Sequence, residues 1–209
     1  LHSTSRRQRQ MCKRDWDSLL ISLSALYFLV VLIGTVLYCT LDSEKIRVLD
    51  SIAGSFVAGR LYHTFWQTLV NSFSGAFLLL LVCFLFGLSA AAQPLELLVP
   101  LFRGLGAGAS IAGMYSSYGL AGAGASVVLI VPNAVATAFV MIIAAREAIR
   151  FSFGLYRAAF GRNTTGEPMD IKLYFTKFVI LCAILAVSSL VDSLLTFGLA
   201  GLWTSLLGI

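Results

Sequence analysis

The chain has 209 residues, of which 58% are hydrophobic and 12% charged, against about 45–50% and about 25% in ordinary soluble domains. That bias excludes a soluble globule, because roughly half of a folded surface must still face water, and it is the opposite of what intrinsic disorder requires. The solvent this composition suits is lipid, and the fold it predicts is all-α: a polytopic bundle of transmembrane helices.

Asp, Glu, Lys and Arg are missing from Ser18 to Leu41, Leu61 to Leu95, Gly104 to Ala145 and Phe178 to Val191. A hydrocarbon core about 30 Å thick takes about 20 helical residues. The first, second and fourth runs each fit one span, the fourth continuing through Asp192 to about Gly198. The third is too long for one, and its middle, Tyr115-Ser116-Ser117-Tyr118-Gly119 followed by Gly122 and Gly124, reads as a turn between two. Five spans result, at about 18–39, 66–92, 97–115, 124–145 and 175–198. They form a single membrane domain, 18–209, behind a basic segment, 1–17. Continuous apolar runs, without alternation, argue against a β-barrel.

Basic residues set the expected orientation. Arg6, Arg7, Arg9, Lys13 and Arg14 precede span one, and Arg146, Arg150, Arg157, Arg162, Lys172 and Lys177 lie between spans four and five. These 11 fall on one side; Lys45, Arg47 and Arg60, the 3 on the other, are balanced by Asp42, Glu44 and Asp50. The N-terminus is therefore expected in the cytoplasm and the C-terminus outside. Trp16, Tyr38, Trp66, Tyr115, Tyr118 and Trp203 stand at the span ends, as in an interfacial aromatic belt. The net charge of +5 thus reports topology and attraction to anionic inner-leaflet lipid, not nucleic acid. Span one exceeds the length of a signal-peptide core, and Tyr38-Cys39-Thr40-Leu41 offers no small-x-small cleavage site, so it is expected to stay attached.

Chemistry-bearing residues are sparse. Cys12, Cys39, Cys83 and Cys182 show no metal-ligand or disulfide pattern, and His2 and His63 are the only histidines. No metal site, cofactor or catalytic constellation is therefore predicted. Asn163-Thr164-Thr165 matches a glycosylation sequon but falls on the expected cytoplasmic side.

Two segments outside the spans are patterned. Arg146, Arg150 and Arg157 are expected on one face of a cytoplasmic helix over 146–162, with Ile149, Phe153, Tyr156 and Phe160 on another. It reads as an anchor on the inner leaflet, or as a docking surface for a cytoplasmic ATPase. Between spans one and two, Ile46, Leu49, Ala53 and Val57 form a weaker amphipathic stretch.

Inside the spans, polar groups are costly and so informative. Arg103 lies about 9 Å and Asp192 about 25 Å from the inner side at 1.5 Å per residue, a separation of roughly 16 Å. An ion pair is not expected; Arg103 should snorkel towards Glu96 or lipid phosphate. Asp192 lies level with Gln67 and Asn71 of span two, whose amides are expected to donate to it; a proton or ion site is the alternative. Gly104, Gly108 and Ala112 form a small-residue face for close helix packing. Pro132-Asn133 in span four reads as a kink, or as part of a substrate path.

In this order, a basic N-terminus, an outer first loop, Arg103-Gly104-x-x-x-Gly108, Pro132-Asn133 and Ser188-Ser189-Leu190-Val191-Asp192, the chain from about residue 18 resembles the stage II sporulation protein M family of bacterial membrane proteins. Many wider family members carry a His after the span-four proline and a carboxylate shortly afterwards; Asn133-Ala134-Val135-Ala136 has neither. The resemblance implies a non-enzymatic scaffold that holds peptidoglycan-remodelling hydrolases, a lytic transglycosylase and an amidase, at the septal membrane during spore engulfment. The 42–63 loop, the 115–124 turn and the Trp203 tail are the candidate contacts. The alternative is a transporter or permease subunit working with a cytoplasmic ATPase, with Arg103, Pro132, Asn133 and Asp192 lining its path. The expected topology has a direct check. A cysteine at Ser117 should react with an impermeant reagent added outside intact cells and one at Thr164 should not; the reverse pattern would invert the topology.

Overall fold

The computed structural model describes residues 2–40, 65–89, 92–159 and 170–198. The 42–63 loop, Phe160, Arg162, the sequon at 163–165 and Trp203 lie outside the described residues. The described part is all-helical: α1 (His2–Thr40), α2 (Phe65–Gly87), α3 (Gln93–Leu129), α4 (Val131–Ala159) and α5 (Ile171–Gly198). Four stretches are long and apolar enough to cross a membrane: Leu20–Thr40, Phe65–Gly87, Pro94–Ser116 and Ile171–Gly198. Gly119–Leu129 and Val131–Arg157, bent 45° to one another, supply a fifth if taken together. Helix α1 runs without a break through the basic segment into the first span.

The turn expected around 115–124 narrows to one residue. Gly119 has φ 58° and ψ −139°, a region closed to side chains with a Cβ. There the chain reverses, so Ile111 and Met114 of the outgoing leg pack on Ala125, Leu129 and Ile130 of the returning one. Gly122 and Gly124 are helical.

Each helix turns one stripe inward. On α2 it is Thr68, Ser72, Ala76, Leu80, Cys83 and Gly87; on α5 it runs from Tyr174 through Phe178, Leu181, Leu185 and Ser189 to Asp192, Ser193 and Thr196. This three-and-four spacing is that of a helix packed on one side. Helix α4 is central, touching α1, α2, α3 and α5, and its Val140, Met141, Ala144, Ala145 and Ala148 are fully buried. The outward faces carry Leu, Ile, Val and Phe, as lipid requires.

Helix α1 packs mainly on α3, and small residues set how closely. A Cβ on Gly34 would lie 2.6 Å from the Leu105 carbonyl oxygen; one on Gly108 would overlap the Val31 carbonyl, and one on Gly104 would touch the Tyr27 ring at 3.4 Å. The Thr35 hydroxyl donates to the Val31 carbonyl at 3.0 Å and reaches the Gly108 carbonyl at 3.4 Å. The expected Gly104 and Gly108 face is therefore a packing face, and its partner is α1. Tyr38, expected in the aromatic belt, is buried against Ala109 and Ala112 instead. Trp66 and Tyr115 are exposed, as a belt requires.

The segment after span four departs from expectation. Helix α4 continues unbroken to Ala159, so 146–159 is the end of a long helix and does not form a helix of its own. Ala148, Phe151 and Ser152 are buried, Arg146 is half-buried, and Arg150, Phe153, Tyr156 and Arg157 are exposed. The Arg157 guanidinium sits over the Phe153 ring, 4.3 Å from its centroid, a cation–π contact between positions i and i+4. The basic and aromatic faces expected to be separate are one mixed surface.

Gly108→Val should force α1 away from α3 and lower stability by about 1–3 kcal/mol, the usual cost of overpacking. Gly106→Ala, where a Cβ would meet nothing within 4 Å, should be neutral or stabilising. Thermal unfolding in detergent compares the two.

Candidate functional site

The residues singled out within the spans meet where α4 begins. Pro132, in the first turn of α4, carries no N–H, and the chain bends between Leu129 and Val131. The ladder is kept across the bend by Ile130 N–H to the Ser126 carbonyl and Ala134 N–H to the Ile130 carbonyl, both 2.8 Å. Pro132 itself faces outward. Its neighbour Asn133 turns inward and is buried.

Asp192 of α5 receives the resulting amide. Its Oδ2 accepts a hydrogen bond from Asn133 Nδ2 at 3.1 Å and another from the Ser72 hydroxyl of α2 at 2.7 Å. The Ser188 hydroxyl reaches Asn133 Oδ1 at 3.5 Å. Asp192 is 4% exposed, so these bonds replace the water that a carboxylate would otherwise keep. The expectation that Asp192 accepts from helix α2 stands, but the donor differs. Asn71 faces out of the bundle, and Ser72, one residue and about 100° further round the helix, takes the place assigned to it.

Arg103 also departs from expectation. It does not reach Glu96. Its guanidinium donates across to Thr137 Oγ1 of α4 at 3.5 Å, and Thr137 in turn donates to the Asn133 carbonyl at 2.7 Å. Arg103 and Asp192 are linked through Thr137 and Asn133. The chain Arg103–Thr137–Asn133–Asp192–Ser72 thus joins α3, α4, α5 and α2. Neither Thr137 nor Ser72 had been singled out; the only sequence signal was that each stands one helical turn from an inward neighbour, Asn133 and Thr68.

A second set of polar contacts lies at the other end of the bundle, where α2 and α4 end and α3 and α5 begin. The Tyr174 hydroxyl donates to the Phe84 carbonyl at 3.0 Å, and the Ser152 hydroxyl to the Ser89 carbonyl at 2.7 Å. Tyr174 is stacked on Phe151 and Phe84, with ring centroids 4.3 and 5.3 Å apart. Gly87 makes room: a Cβ there would strike the Tyr174 hydroxyl and Ala148. Lys177 and Glu147 pair at 2.5 Å near the surface. Glu96, in the first turn of α3, is fully buried, and neither carboxyl oxygen has a partner. Pro100 follows four residues later and lacks the N–H that would bond the Glu96 carbonyl.

Among the described residues no three His, Cys, Asp or Glu side chains converge as metal ligands. The arrangement around Asp192 can orient helices and hold a charge. Compared with protein-family models, with curated proteins and with solved structures, the chain matches none.

Asp192→Asn keeps an acceptor oxygen for Ser72 and Asn133 and should cost at most about 1–2 kcal/mol, the difference between a charged and a neutral hydrogen bond. Asp192→Leu strands two buried donors and should cost about 1–3 kcal/mol for each. Equal effects of the two variants on thermal unfolding would show that the bonds do not hold the bundle.

Proposed function

We propose that this protein is a non-enzymatic integral membrane scaffold of the bacterial cytoplasmic membrane, acting as the resemblance to stage II sporulation protein M implies. It would hold peptidoglycan-remodelling hydrolases at the septal membrane while they thin the wall during engulfment. The observation that supports this reading best is the state of the intramembrane charges. Asp192 is bound by hydroxyl and amide donors from two other helices, and Arg103 is tied to Thr137. These bonds link α2, α3, α4 and α5, while Arg103 Nε stays buried without a partner.

A carrier has the opposite need. Its midplane polar groups must exchange partners with substrate and face water alternately. A scaffold needs a fixed bundle that presents constant surfaces at its ends. One such surface is the α3 hairpin tip, where Tyr115 and Leu120 are 55% and 84% exposed. On this reading the tip is a contact for the extracytoplasmic hydrolases, and the exposed Arg150 and Arg157 at the far end of α4 rest against anionic lipid.

Crosslinking in intact membranes followed by affinity purification of the full chain tests the proposal. Cell-wall hydrolases should be recovered, and Leu120→Asp should reduce their yield several-fold. Recovery of a nucleotide-binding ATPase subunit with no hydrolase would overturn the scaffold in favour of a permease.

A further inference from the structure

One face of α2 is turned away from the bundle and carries polar side chains along its first half. Gln67, Asn71, Ser74, Leu78, Leu81 and Leu85 are all exposed, at intervals of four, three, four, three and four residues. That is the a/d repeat of a left-handed helix pair. The inward stripe of α2, from Thr68 to Gly87, lies on the opposite side and is already occupied by α4 and α5. The seam is therefore additional to the packing that holds the monomer together.

Asn71 makes the seam specific. It stands about 9 Å along the span from Phe65 at 1.5 Å per residue, and its carboxamide bonds to nothing among the described residues. Asn133, the other asparagine within the described spans, is buried on Asp192. A carboxamide facing hydrocarbon leaves two donors and an acceptor unsatisfied, and its short side chain cannot carry them to the interface. Beside it, the Ser74 hydroxyl reaches the Asn71 carbonyl at 3.5 Å. A Cβ on Gly75 would meet nothing within 4 Å, so the helix surface there is low and another backbone can come close.

We propose that this seam is the interface with a second copy of the same chain, α2 packed in parallel against α2 about a two-fold axis along the membrane normal. The chemistry selects that occupant. A partner at this face must bring both a donor and an acceptor at the depth of Asn71. A second copy inserted in the same sense brings its own Asn71 at that depth, and two carboxamides satisfy each other reciprocally. Leu78, Leu81 and Leu85, 60%, 40% and 54% exposed, then interdigitate along the rest of the span. A polar residue at one a or d position fixes register and copy number, as in soluble coiled coils.

The test uses the full chain in native membranes, with Cys12, Cys39 and Cys182 replaced by serine and the buried Cys83 by alanine, so that single cysteines report alone. Under mild oxidation, Ser74→Cys, Leu78→Cys and Leu81→Cys should give disulfide-linked dimers. Val187→Cys, equally lipid-facing on α5 (63% exposed), should not. Adding Asn71→Leu should lower the Leu78→Cys dimer yield several-fold, while Asn71→Gln retains most of it. Both leave monomer unfolding in detergent unchanged, because Asn71 makes no contact within the bundle that they would remove. Equal crosslinking at Val187, or a yield indifferent to Asn71→Leu, would overturn the proposal. So would crosslinks only to a different membrane protein.

Discussion

A carboxylate inside a bilayer must be provided for, and the way Asp192 is provided for organises this molecule. Water is absent, so each acceptor site must be met by a donor on a neighbouring helix. Ser72 and Asn133 do this from α2 and α4, and each can do so only if its helix is held at one rotation and one height. Asn133 reaches the carboxylate because the chain bends just before Pro132. Thr137, one turn further along α4, then stands where Arg103 of α3 can bond to it. Asp192 thereby ties α5 to α2 and α4, and the Arg103 bond to Thr137 adds α3.

The remaining contacts follow the same logic with different chemistry. In hydrocarbon, apolar helices gain little by meeting each other, since lipid is as apolar as leucine, so close approach and hydrogen bonds must supply the association. At the α1–α3 crossing the close approach comes from Gly34, Gly104 and Gly108 and the bond from Thr35. At the far end of the bundle Gly87 admits Tyr174, whose hydroxyl caps the Phe84 carbonyl while its ring stacks on Phe151. Among the described residues Glu96 stands outside this pattern, buried with both carboxyl oxygens unpartnered.

Much of the architecture was legible before any coordinates. Stretches without charge mark the spans because a charge in hydrocarbon is expensive, and the glycine face on span three marks close packing because only missing side chains allow it. The turn around Gly119 was legible for the same reason. The errors have a common source in rotation about helix axes. Asn71 and Ser72 are neighbours in sequence but point about 100° apart, and composition does not say which of them faces the core. Phe153 and Arg157, assigned to different faces, are one turn apart and stack. Arg103, expected to snorkel towards Glu96 or lipid phosphate, bonds instead to a hydroxyl on an adjacent helix.

The sequence by itself determined that this chain carries several helices apolar enough to cross a membrane, where the chain reverses, and which few polar residues would need explaining. Those are properties of each segment against its solvent, and they need no neighbour. Only the tertiary structure decided the partners: Ser72 in place of Asn71 on Asp192, Thr137 in place of Glu96 on Arg103, and α1 against the glycines of α3. The physical reason is that a buried polar group is satisfied by whichever donor the packing brings within 3 Å or so, and that depends on the rotation and crossing of helices far apart in the chain. The same rotation turns Asn71 outward and leaves a hydrogen-bonding seam along α2, which no reading of the span's composition distinguishes from its core-facing side.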